Sequence, residues 1–202
     1  STGIVDTHSF MQTMVAQAEE HGVLFCYNTP VKAVDLTHRV VIEIGGRDPM
    51  KLCCKWLINA AGLNAVALAN QMVGFPKIAV PPSFWAKGSY FSLIGIRAPF
   101  SHLIYPLPHD GGLGTHLTLD LSGQARFGPD IEWTSEVDFT VESARSSSFY
   151  SSIRRYWPDL PDGSLVPAYA GVRLKIVPPN LSIQDFCFDG HTSHGVPGVI
   201  QL

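Results

Sequence analysis

The sequence predicts a mixed α and β protein of the α+β class, an antiparallel sheet with flanking helices. Three observations predict it. Short β-rich runs recur between Gly, Pro and Asn turns, two longer segments carry apolar residues at helical spacing, and strand runs outnumber the helical ones. With 46% apolar and 15% charged residues in 202, against about 25% charged in an average domain, the chain has a sizeable core and is not disordered.

The first helix is predicted over residues 6–22. Asp6, Thr7 and Ser9 offer caps, Phe10, Met14 and Ala18 form a stripe, and His21-Gly22 is a stop signal. Val23–Cys26, Val31–Val34, Val40–Ile44 and Lys51–Cys54 read as a small antiparallel meander, with turns at Asn28-Thr29-Pro30 and Gly45–Pro49. Trp56–Asn59 reads as a buried strand running through Ala60-Ala61-Gly62 into a helix over Asn64–Met72. Composition shifts at Phe75-Pro76 and Pro81-Pro82, the expected linker.

Beyond it Ser89–Ile94, Leu103–Tyr105, Gly114–Asp120 and Ala125–Phe127 read as strands. Hairpin turns are expected at Asp110-Gly111-Gly112 and Leu121–Gln124. A second helix is expected over Glu142–Tyr156, its stripe formed by Phe149, Ile153 and Trp157, with Arg154-Arg155 at the negative end of the macrodipole and Pro158 as the stop. Tyr169–Ile176 reads as a strand, and Asp185–Leu202 as a last hairpin around Asp189-Gly190-His191.

A net charge of −3 and no basic run longer than Arg154-Arg155 argue against nucleic acid as a partner. The four cysteines, Cys26, Cys53, Cys54 and Cys187, form no C-x-x-C pair and read as small hydrophobes in a reducing compartment, cytoplasmic or organelle matrix. The uncharged stretch from Trp56 to Pro76 has the length of a membrane span, but Asn59, Asn64, Asn70, Gln71 and Gly62 interrupt it. Strand, turn and helix explain it better, and no transmembrane segment is expected. The opening Ser-Thr-Gly and the closing Val-Ile-Gln-Leu both read as cut ends.

Several groupings carry potential chemistry. Ala60-Ala61-Gly62 leaves the main chain bare at the end of a strand, which suits either a ligand's close approach or tight strand–helix packing. No G-x-G-x-x-G is present, and Gly111-Gly112-Leu113-Gly114 has the wrong spacing. His191-x-x-His194 with Asp189 has ligand-like spacing but no fourth partner, so no metal is expected. His102, His109 and His116 recur at a spacing without meaning on strands. His116, beside Gly114 and Thr115, is the one placed to face a cleft as a general base. Arg173 sits in an apolar strand and needs a partner, either an internal carboxylate or a substrate carboxylate. No G-x-S-x-G or H-E-x-x-H occurs.

Taken together, Ser1–Asp6, Leu57–Asn64, Lys87–Phe91, Leu103–Pro106, Gly112–Asp120, Gly123–Asp130, Tyr169–Arg173 and Ser193–Gly198 closely resemble the FAD-dependent L-2-hydroxyglutarate dehydrogenase/oxidase family. That family lies within the D-amino-acid oxidase-like flavoproteins, and the likeness runs along essentially the whole chain. The resemblance implies part of an FAD-binding domain over residues 1–80, a substrate domain over 81–175, and a return to the FAD domain over 176–202. It implies FAD as cofactor, oxidation of L-2-hydroxyglutarate to 2-oxoglutarate, and a quinone or oxygen as electron acceptor.

By the same resemblance, Val31 lies beside the adenine, while Ala60, Ala61 and Gly62 line the cofactor. Arg173 holds a substrate carboxylate, and Tyr90, His116 and Lys87 stand near the flavin or the substrate entrance. A dicarboxylate needs two cationic clusters, for which Arg173 with Lys175, Arg126 or Lys87 are the candidates. His116 is the candidate base. The family's glycine-rich FAD unit and its flavin-contacting loop fall outside these residues, so this piece alone is expected to be incomplete and inactive. Two alternatives stand beside this reading: a cofactor-free module binding a dicarboxylate or a partner chain, and a related FAD oxidase of another hydroxy or amino acid. Cut sheet edges favour self-association as a homo-oligomer, and a quinone acceptor would imply peripheral membrane contact.

Overall fold

The computed structural model describes residues 3–107, 114–179, 181 and 186–202. In chain order its elements are α1 (Thr7–Glu20), β1 (Val31–Asp35), β2 (Val40–Ile44), β3 (Met50–Cys54), β4 (Leu57–Asn59), α2 (Ala65–Gln71), β5 (Phe84–Leu93), β6 (His116–Leu119), β7 (Ala125–Gly128), β8 (Glu132–Thr134), α3 (Ser146–Ile153), β9 (Leu165–Lys175), α4 (His191–His194) and β10 (Val199–Gln201). They divide into two compact units, Ser1–Glu20 with Phe84–Arg173, and His21–Ser83 with Leu174–Leu202. The chain passes from one unit to the other after residues 20, 83 and 173, and α1 groups with the sheet of the first unit. Among the described residues no helix is long and apolar enough to cross a membrane.

Asp6 caps α1. Its carboxylate accepts the amides of His8 and Ser9, each at 3.1 Å, and the Ser9 hydroxyl at 2.7 Å, answering donors that the first turn leaves orphaned. Gly22 ends the helical stretch in the left-handed region. The apolar stripe stays at the surface, and no residue of α1 is buried.

In the second unit β1, β2 and β3 form the expected antiparallel meander, with Val34 opposite Ile42 and Val40 opposite Cys54. Residues 23–26 are not a strand. The run is exposed and irregular, since β propensity forms a strand only where a neighbour accepts its ladder. β4 pairs in parallel with β10, Leu57 opposite Val199 and Asn59 opposite Gln201. The expected hairpin at the end is therefore only partial. Asp189 and Gln201 exchange both backbone bonds, at 3.0 and 2.8 Å, but the chain between them coils into the single turn α4. The start of that hairpin, at Asp185, lies outside the described residues. Val34, Val40, Met72, Phe75 and Val199 form the core of this unit.

In the first unit β5 is the hub, pairing with β7, β8 and β9, while β6 extends β7. Alternation sorts the two faces. Phe91, Phe127 and Leu117 lie opposite one another and are fully buried against Phe149 and Ile153 of α3, with Trp157, Leu160 and Leu165. The Phe91 and Phe149 rings meet at 4.6 Å. The helix ends at Ile153, earlier than the sequence suggests. Arg154 then turns back to hydrogen-bond the Leu160 carbonyl, at 3.1 Å through Nε and 2.7 Å through Nη2. Leu103–Tyr105 contributes one bridge, Ile104 to Leu117, in place of a strand. The turn expected at Asp110-Gly111-Gly112 lies outside the described residues, as do His109 and Leu113.

Between β7 and β8 the register against β5 changes by one residue, from Phe91 opposite Phe127 to Lys87 opposite Glu132. This bulge takes a backbone acceptor away from Ser89, and the Asp130 carboxylate replaces it, accepting the Ser89 amide at 2.7 Å. Arg145, in the short 3₁₀ turn that leads into α3, pairs with the other Asp130 oxygen and with Glu132 at 3.2 Å.

Lys87 points to this same helical face. It is 4% exposed and pairs with Asp138 at 2.5 Å. That bond, followed by those from Thr140, holds the Asp138 carboxyl down at about 2. A carboxyl depressed in the folded state contributes stability above its unfolded pKa of about 4 and loses it as pH falls through the folded value. Asp138→Asn is expected to lower the urea midpoint at pH 7, and the difference from the parent should shrink between about pH 4 and pH 2. A difference that stayed constant over that range would show that the pair carries no such stability.

Candidate active site

The face of the β5 sheet away from α3 gathers the unusual side chains. Because Phe91 points into the core, its neighbours Tyr90 and Ser92 point outward. Arg126 lies opposite both Ser92 and Thr118, and His116 lies opposite Gly128, so these residues share the outward face.

Tyr90 lies against Gly128. A Cβ at Gly128 would stand 2.6 Å from the Ser89 carbonyl oxygen and 2.7 Å from Tyr90 Cδ1, at a backbone φ of 142°. Only glycine leaves that room. Tyr169 of β9 stacks on Tyr90 with ring centroids 4.5 Å apart and planes 13° from parallel. The Arg126 guanidinium stands 5.6 Å over the Tyr169 ring, and among the described residues it pairs with Asp120 at 3.5 Å. The Tyr105 ring meets His116 edge-on at 4.5 Å.

Burial, followed by the neighbouring Tyr169, raises the Tyr90 phenol above its ordinary value, and the charge on Arg173 acts on it in the opposite direction. The Tyr90 hydroxyl is therefore a donor across the physiological range. The sequence argument left Arg173 with either an internal carboxylate or a substrate carboxylate as partner. On the outward side of β9, Tyr169, Gly171 and Arg173 are exposed, so the guanidinium sits at the surface, and no ion pair is formed by it among the described residues.

Of the residues the sequence singles out, His116, Tyr90, Arg126 and Arg173 belong to the first unit and stand on this face. Lys87 belongs to the opposite face and is engaged by Asp138. Lys175 ends β9 and falls in the second unit. Tyr169 and Tyr105 escaped the sequence reading. The available signal was the small residues Ala168, Ala170 and Gly171 around Tyr169, which leave a ring free to lie flat along a strand.

In the second unit Val31 opens β1, and Ala60-Ala61-Gly62 follow the carboxyl end of β4. Asn59, buried, pins that turn. Its amide donates to the Ala65 carbonyl at 2.8 Å and to Gln201 Oε1 at 2.7 Å, and its oxygen accepts the Ala61 amide at 3.3 Å. Gly62 has φ +56° and nothing within 4 Å of the place a Cβ would take. Small, exposed residues at the carboxyl end of a parallel strand pair fit the edge of a dinucleotide cofactor.

His194 is 6% exposed. Its Nδ1 accepts the Val196 amide at 3.1 Å, and its Nε2 has no hydrogen-bond partner among the described residues. Among the described residues no group of three His, Cys, Asp or Glu is arranged to hold a metal ion.

Comparison with known proteins adds the family. The model for FAD dependent oxidoreductases matches residues 1–200. The mitochondrial L-2-hydroxyglutarate dehydrogenase of Arabidopsis thaliana is 38% identical over 100% of this chain and 50% of its own length. The L-2-hydroxyglutarate dehydrogenase of Salmonella houtenae is 26% identical over 93% of this chain and 53% of its own. The chain thus spans about half the length of the curated relatives it matches.

Among solved structures, the dithionite-reduced L-α-glycerophosphate oxidase of Mycoplasma pneumoniae with FAD bound superposes with a TM-score of 0.74 at 18% identity, over 94% of this chain and 48% of that one. The glycerol-3-phosphate dehydrogenase of Bacillus halodurans complexed with FAD gives 0.68 at 14%, over 92% and 36%. These two share the fold.

The seat of Tyr90 yields a prediction. Gly128→Ala is expected to destabilise the protein by about 1–3 kcal/mol through steric overlap and backbone strain. Urea denaturation measures this, and an unchanged midpoint would mean that the ring does not depend on that gap.

Proposed function

Since the chain belongs to the family of FAD dependent oxidoreductases, we propose that the protein it represents oxidises L-2-hydroxyglutarate to 2-oxoglutarate. The observation that carries the reading is Arg173, an exposed guanidinium without an ion pair among the described residues, whose charge acts on the Tyr90 phenol. Such a group binds a carboxylate through two parallel hydrogen bonds, and a protonated Tyr90 donates a third. Both curated relatives are named for L-2-hydroxyglutarate.

When bound, FAD supplies the hydride acceptor. This chain's residues do the rest. Arg173 and Tyr90 orient the acid by the carboxylate next to the reacting carbon, and the His116 imidazole takes the hydroxyl proton. The edge-on Tyr105 ring limits how the imidazole can turn. Val31, Ala60, Ala61 and Gly62 hold the cofactor through main chain and small side chains. Electrons pass to a quinone or to oxygen. The cysteines are free thiols, three of them exposed, which suits a reducing compartment such as an organelle matrix; the Arabidopsis relative is named as mitochondrial.

In the full-length protein loaded with FAD, Arg173→Gln should lower kcat/KM for L-2-hydroxyglutarate by about 100-fold, most of it in KM. His116→Gln should lower kcat by about 100-fold or more while KM changes little. Turnover undiminished in either variant would remove that residue from its role, and a parent that oxidises only another hydroxy or amino acid would replace the substrate.

A further inference from the structure

We propose that Arg126 is the residue that selects a second carboxylate on the substrate, and that Tyr169 is the positioning residue that holds it. The inference rests on the reading of Arg173 above and extends it to the far end of the acid. Three cations besides Arg173 can be considered for that end. Lys87 is spent on Asp138 at the opposite face, and Lys175, which closes β9 two residues beyond Arg173, is a point charge on a flexible stem that no ring or ion pair fixes among the described residues. Arg126 remains.

Its only ion pair among the described residues is a loose one. Asp120 reaches it with Oδ2 at 3.5 Å, while Oδ1 of the same carboxylate already accepts the Ser122 amide at 2.9 Å, the Ser122 hydroxyl at 2.6 Å and the Gln124 amide at 2.9 Å. Asp120 is thus a turn residue that keeps its bonds whether or not Arg126 is present.

What fixes Arg126 is the ring beneath it. The guanidinium stands over Tyr169, Tyr169 stacks on Tyr90, and Tyr90 rests against Gly128. A guanidinium held over an aromatic ring keeps its N–H edge available to a carboxylate. Arg173 acts on Tyr90 and Arg126 on Tyr169. A 2-hydroxy acid with one carboxylate engages Arg173 and leaves Arg126 idle, whereas a dicarboxylate engages both.

The test uses the full-length, FAD-loaded protein with L-2-hydroxyglutarate and the monocarboxylate L-2-hydroxybutyrate as substrates. Binding of 2-oxoglutarate and of 2-oxobutyrate is measured alongside by calorimetry. Arg126→Gln should raise KM for the dicarboxylate and Kd for 2-oxoglutarate about 10- to 100-fold, with kcat nearly unchanged and both monocarboxylates unaffected. Arg126→Lys should fall between. Tyr169→Leu should raise the dicarboxylate KM and Kd as Arg126→Gln does, with a smaller rise for the monocarboxylates because Tyr90 loses the ring stacked on it, and Tyr169→Phe should keep the parent values. The proposal falls if Arg126→Gln keeps the parent's preference for two carboxylates, or if it weakens both acids equally. A parent that oxidises neither acid would overturn the reading of the function, and the Kd ratio of the two oxo acids would still decide the role of Arg126.

Discussion

One carboxylate governs the first unit. Where β7 gives way to β8 the ladder with β5 slips by a residue, which leaves the Ser89 amide without a backbone acceptor from the neighbouring strand. Asp130 fills the gap with one oxygen and gives the other to Arg145. A buried backbone donor and the entry to α3 are therefore satisfied by the same group. The slip lets β5 be paired along its length while Gly128 stays close enough for Tyr90 to lie on it. Hydrophobic burial of Phe91, Phe127 and Leu117 fixes one face of the sheet, and the opposite face then displays Tyr90, Arg126 and His116.

Much of this architecture is legible in the residues. Asp6 caps its helix as its type and position predict, and the alternation of Val40–Ile44 against Met50–Cys54 suffices for the meander. The misses share a cause, since each depends on a partner far away in the chain. Residues 23–26 have strand composition and no neighbour. Val199–Gln201 looks like half of a hairpin, but its ladder partner is β4, across most of the sequence. Glu132–Thr134 carries no strand pattern of its own and becomes one because β5 offers an edge.

The site divides along the same line. Arg173 stands out as a charge in an apolar strand, and because β9 alternates its guanidinium is on the open side. Lys87 belongs to the same Lys-Gly-Ser-Tyr-Phe run as Tyr90. Positions three apart share a face on a helix, whereas on β5 Lys87 and Tyr90 face opposite ways. For Tyr169 the local signal is only the small residues around it; its ring contact with Tyr90 on another strand is a long-range feature.

The interleaved order of the two units has a consequence for how the chain is made. The second unit needs Val34 and Val40 from its early segment and Val199 from its late one, packed in a single core. On the ribosome that core waits until almost the whole of these residues has emerged, while β5 to α3 have already become available to collapse together. During that interval β4 stands without β10, its parallel partner among the described residues, and the edge that β10 later covers is open to a chaperone or a neighbouring nascent chain.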